Sequence, residues 1–104
     1  MRLADLHPWF YDSGGTGISD KDGNPVPLRK GVGIGFDCPC GGDCGMVSVS
    51  FANPLDGGPP SRKDGHTWQR TGDTFETLTL SPSIQRLNGC KWHGWIKNGE
   101  VITC

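Results

Sequence analysis

Val32-Gly-Ile-Gly-Phe-Asp-Cys-Pro-Cys-Gly-Gly-Asp-Cys-Gly-Met-Val-Ser-Val-Ser-Phe51 is the stretch that decides the fold class. Its two ends alternate. Val32, Ile34 and Phe36 are separated by glycines, and Val47, Val49 and Phe51 by Ser48 and Ser50. A period of two turns every second side chain to one face, the pattern of a half-buried strand. Between the ends, Asp37 to Gly45 holds cysteines, glycines and one proline, the composition of a tight turn. The stretch predicts a β-hairpin tipped by a ligand knuckle, Cys38-Pro-Cys40.

Outward from it, the same logic yields further hairpins. Trp95-Ile96-Lys97 and Glu100-Val101-Ile102 flank Asn98-Gly99, a strong short hairpin signal. Phe75 to Leu80 is β-prone and predicts a strand. Ser81-Pro82-Ser83-Ile84 then breaks and restarts the chain. Residues 53–73 are polar and rich in Gly and Pro, and predict a long excursion anchored by Trp68. Residues 1–30 predict an N-terminal arm with an aromatic cluster, Pro8-Trp9-Phe10-Tyr11, and residues 31–104 a metal-binding β domain. The apolar spacing supports no amphipathic helix longer than two turns. The fold class is mostly β: a small metal-stapled domain of β-hairpins, zinc-ribbon or Rieske-like, with an extended arm.

Length and composition bound the rest. A chain of 104 residues is one domain with a modest core. Its 17 glycines and 8 prolines favour turns and short strands over helices. A net charge of −1 with scattered bases argues against a polyanion-binding surface, so no nucleic-acid partner is expected. No apolar run approaches a membrane span or a signal peptide. The expected setting is therefore cytoplasmic and reducing, where clustered cysteines read as metal ligands before disulfides.

Cys90-Lys-Trp-His93 forms a second knuckle, about 50 residues beyond the first. Cys38, Cys40, Cys90 and His93 together make a three-thiolate, one-imidazole set. That set suits tetrahedral zinc and can also hold a 2Fe-2S cluster. Pinning one ion between two knuckles would close a long loop and stabilise the fold. Cys44 and Cys104 are alternative ligands. Ser81 and Ser83 read as hydrogen-bond donors to a thiolate. Reading either as a nucleophile requires a nearby base, and no motif supplies one.

Cys90-Lys-Trp-His93-Gly94-Trp95, followed by Asn98-Gly99-Glu100, resembles the second cluster-binding motif of Rieske iron–sulfur domains. The first Rieske motif is Cys-x-His, and position 40 here is Cys. A longer resemblance runs through Gly33-Ile-Gly-Phe36-Asp-Cys-Pro-Cys40, Phe51-Ala-Asn-Pro54, Leu78-Thr-Leu-Ser-Pro-Ser-Ile84 and Cys90 to Glu100. It is similar to a family of small uncharacterised proteins of tailed phages and prophages, some labelled ammonia monooxygenase. That resemblance implies a phage or prophage origin and a metal-binding β domain, with no catalytic residue to carry over.

The sequence expectation is thus a zinc-stabilised phage accessory protein, a binding or assembly module associated with the virion capsid or tail. Zinc is the expected cofactor. A protein partner is expected, either the virion shell or a host factor, with no membrane and an oligomeric state left open. The alternatives are a Rieske-like Cys3His electron-transfer protein and a phage protein that binds a host factor. Enzymatic activity is disfavoured. Glu76 and Glu100 are the only glutamates, and neither has a motif placing it at the metal.

Overall fold

The computed structural model describes residues 1–14, 17, 19–40, 45–60, 66–86 and 91–103. Among the described residues, eight strands follow a 3-10 turn, Leu3–Leu6. They are β1 (Trp9–Ser13), β2 (Arg29–Asp37), β3 (Met46–Ser50), β4 (Gln69–Thr71), β5 (Thr79–Ser81), β6 (Ile84–Gln85), β7 (His93–Lys97) and β8 (Glu100–Thr103). They form three antiparallel sheets: β1-β2-β3, β4-β5 and β6-β7-β8. The mostly β expectation holds.

The quoted stretch folds as its alternation predicts. Ile34 faces Val49 and Phe36 faces Val47 across the β2–β3 pair, so four apolar side chains share the inward face. Ile34, Phe36 and Val49 are fully buried. The alternate face of β2 is buried too, because β1 lays aromatics over it. Gly33 sits beneath the Tyr11 ring, and Gly35 beneath the Trp9 indole. A Cβ at either position would collide with the ring above it, so glycine is what allows this close stacking.

The core joins all three sheets: Leu3, Ile34, Phe36, Val49, Phe51, Leu78, Leu80, Ile84, Trp92 and Ile96 belong to one cluster. Phe36 meets Trp92 edge-on at 6.4 Å between ring centroids, a favoured aromatic geometry. The first residues contribute directly. Leu3 and Leu6 are buried in this cluster, and β1 pairs with β2.

Asn98 and Gly99 have φ of 51° and 76° and close the β7–β8 hairpin, as the Asn-Gly signal predicts. The strand expected over residues 75–80 is shorter. Only Thr79–Ser81 pairs, and the preceding residues curl into a turn. There the Thr74 and Thr77 hydroxyls hydrogen-bond at 2.7 Å, and the Thr77 amide donates to the Thr74 carbonyl at 3.3 Å. These local side-chain bonds compete with strand pairing.

Among the described residues, no helix is long and apolar enough to cross a membrane.

Candidate active site

Ser83 lies between β5 and β6, and His93 opens β7. The β6–β7 pairing sets Gln85 opposite His93 and Ile84 opposite Gly94. A two-residue strand so short defines little by itself, but its register places Ser83 beside the imidazole. The Ser83 Oγ stands 3.0 Å from His93 Nε2, and both residues are half-buried. The two are ten residues apart in sequence and come together only because the chain reverses between β6 and β7.

The elements around the pair hold it in place. The Trp68 indole Nε1 donates to the Ser83 carbonyl at 3.1 Å. Trp68 is itself tied to the end of β3: its amide donates to the Ser50 carbonyl, and its carbonyl accepts from Ala52. Next to it, the Asn53 side chain clamps the Arg70 backbone with two bonds of 2.7 Å. The Arg70 guanidinium lies 5.6 Å from the centre of the Phe51 ring and donates to the Gly72 carbonyl at 2.6 Å. The Gly- and Pro-rich excursion is thus fastened to the core through Phe51 and reaches Ser83 through one indole.

On the other side, β7 runs between β6 and β8. Trp92, just before it, is buried and donates from Nε1 to Thr103 Oγ1 at 3.1 Å. The Trp95 ring packs against the His93 imidazole, with centroids 5.6 Å apart. An open groove of about 530 Å³ begins at Ser83 and is lined by Leu80, Pro82, Trp95 and Lys97.

Chemically, this pairs a hydroxyl with an imidazole nitrogen at hydrogen-bond distance, at the mouth of a groove. A neutral imidazole at that distance can accept the hydroxyl proton and make the oxygen nucleophilic. Among the described residues no carboxylate is bonded to His93 Nδ1; an imidazole–carboxylate bond stands elsewhere, between His7 Nδ1 and Asp37 Oδ2 at 2.8 Å, on the surface. Among the described residues the arrangement is a serine–imidazole pair.

The residues chosen from sequence fall differently. Cys38 is buried in the core cluster, with its amide donating to the Gly45 carbonyl at 3.1 Å. Cys40 is disulfide-bonded, and a cystine sulfur carries no thiolate charge to offer a metal. Cys90, Cys44 and Cys104 lie outside the described residues. Among the described residues, no group of three or more His, Cys, Asp or Glu side chains stands together to hold a metal ion. His93 was assigned to a metal because Cys-x-x-His is a familiar ligand spacing. The overlooked signal was local: a Ser and a His on either side of one chain reversal, each next to β-prone residues.

One protein-family model matches residues 19–104, and its description reads BubE, bacterial ubiquitination-like system serine protease. No curated protein and no solved structure matches the chain. The family match overturns the expectation of a zinc-stabilised phage accessory or virion module. In the described residues His93 Nε2 faces a serine hydroxyl.

Proposed function

The chain belongs to the BubE family, and from that premise we propose that it is a serine protease in which Ser83 is the nucleophile and His93 the general base. The observation that carries this reading is the 3.0 Å contact between Ser83 Oγ and His93 Nε2 in a chain matched to a serine protease family over residues 19–104.

As Ser83 Oγ attacks the carbonyl carbon of the scissile amide, His93 Nε2 takes the hydroxyl proton. The tetrahedral adduct collapses, the C–N bond breaks, and the imidazolium returns that proton to the departing amine. A water then attacks the acyl-enzyme ester, with His93 again removing a proton. Ser83 leaves as the alkoxide and takes the proton back, and the new carboxylate is released. Two features support the residue assignment. Trp68 holds the Ser83 carbonyl, which limits how the nucleophile's backbone can swing. Trp95 packs on His93, which limits how the ring can tilt. Pre-positioning of this kind lowers the ordering cost of reaching the transition state.

A fluorophosphonate probe tests the assignment, since it phosphonylates only an activated serine. Mass analysis of the labelled chain is expected to place one adduct on Ser83. Ser83→Ala and His93→Ala should abolish labelling, and Ser81→Ala should retain it. An adduct on another residue, or none on a folded wild-type chain, overturns the reading.

A further inference from the structure

His93, Trp95 and Lys97 occupy alternate positions of β7, the first two half-buried and Lys97 exposed, with buried Gly94 and Ile96 between them. Residues at i, i+2 and i+4 of a strand point the same way, so imidazole, indole and ammonium form a row. Two of the three, Trp95 and Lys97, line the groove that starts at Ser83. The opposite wall is Thr79 to Pro82. The groove is therefore a track whose near end is Ser83, hydrogen-bonded to His93, whose middle is a flat aromatic surface and whose far end is a positive charge.

The charge at the far end is not spent internally. Lys97 forms no ion pair among the described residues. The carboxylate opposite it across the hairpin, Glu100, instead stands 3.7 Å from the Met1 amine. Lys97 is exposed, and its flexible stem lets the ammonium reach a carboxylate without a fixed geometry.

Resting on the serine protease reading, we infer that the groove takes an extended polypeptide bearing a carboxylate about three to four residues from the bond it cuts, with Lys97 as the specificity-determining residue. The spacing follows from the strand rise. Four residue steps along β7 lead from His93 to Lys97, about 13 Å at 3.3 Å per step, and a substrate lying extended alongside covers that distance with a similar number of residues. Trp95 sets the intervening requirement: the segment between the cut and the acid lies across an indole and is apolar or small. The carboxylate can come from an Asp or Glu side chain or from the free C-terminus of the substrate.

Cleavage profiling of a proteome-derived peptide library tests this. The full-length wild-type chain and Lys97→Glu are compared, with fluorophosphonate labelling of Ser83 measured in parallel. Wild type is expected to enrich Asp or Glu about three to four residues to one side of the cut. Lys97→Glu is expected to lose that enrichment and gain Lys or Arg at the same position, with the Ser83 adduct still formed. Repeating the digest with C-terminally amidated peptides separates the sources. Cuts clustered near C-termini and lost on amidation assign the terminal carboxylate, and internal cuts that persist assign a side chain. Wild-type cuts without acidic enrichment, or enrichment unchanged in Lys97→Glu, overturn the inference. So does a library left uncut by a chain whose Ser83 labels. A wild-type chain that neither labels nor cuts overturns the protease reading itself.

Discussion

The β1-β2-β3 sheet and the β5–β7 edge are built from similar short strands and do opposite things. In the first, β2 is buried over six consecutive residues, Gly31 to Phe36, with aromatics on one face and the common core on the other. In the second, burial alternates, and the half-buried positions hold a serine, an imidazole and an indole. One region excludes water from both sides of a strand. The other keeps one face open to a groove. On the serine protease reading the chemistry falls in the second, because a nucleophile must meet substrate and a core strand must not meet solvent. Trp68 joins the two, with its backbone on β3's end and its indole on Ser83.

That division can be broken by mutation. Ser83→Ala should produce the largest functional effect, lowering peptide hydrolysis by about a thousand-fold or more. It should move the thermal midpoint by only a few degrees, about what the loss of one part-buried hydrogen bond implies. Steady-state kinetics beside a melting curve checks both; a large loss of stability would mean that the dyad also holds the fold together.

Phe36→Ala should do the reverse. Removing a fully buried ring that packs on Trp92 is expected to cost about 3–5 kcal/mol. Denaturant titration measures this, and the fraction that remains folded should still label at Ser83.

A subtler change tests the link. Trp68→Phe keeps an aromatic ring and removes the N–H that holds the Ser83 carbonyl. The expected outcome is a fall in kcat of about five- to ten-fold with KM nearly unchanged, the size of one oriented hydrogen bond. Equal changes in kcat and thermal midpoint across several Trp68 variants would show that the indole matters only as packing.

The smallest effect concerns the surface pair that ties β2 to the loop after β3. Arg29 donates to both Asp56 oxygens at 2.9 Å. The guanidinium hydrogen bonds, helped by the Gly58 amide, hold the Asp56 carboxyl down at about 2, from an ordinary value near 3.8. Because the folded value is depressed, the stabilisation is complete above the unfolded value. It disappears as pH falls from about 4 towards 2. Asp56→Asn should therefore flatten the acid side of the stability–pH curve while leaving hydrolysis near neutral pH unchanged.

How much of this was legible differs between the two regions. The alternation of Val32 to Phe36 and of Val47 to Phe51 announced the paired strands, since burial on one face demands a period of two. Asn98-Gly99 announced its hairpin because few residue pairs tolerate two positive φ angles. The turn at Thr74 to Thr77 was less legible. Its threonines look β-prone until their hydroxyls bond to each other. The dyad was legible only in fragments. Ser83 and His93 both stand out in the sequence, but as a hydrogen-bond donor to a thiolate and as a metal ligand, since Cys90-Lys-Trp-His93 has the spacing of a ligand knuckle.

By itself the sequence determined a mostly β chain, which strands are apolar and where the tightest turns fall. These depend on the intrinsic preferences of residues close together along the chain. The tertiary structure decided which side chains become partners. Whether His93 faces a thiolate or a hydroxyl depends on the register between β6 and β7 and on an indole from a distant loop. A shift of one residue in that register would turn His93 to the other face of the strand. Local pattern carries no record of that choice, because period two says which face a residue takes and not which strand lies beside it.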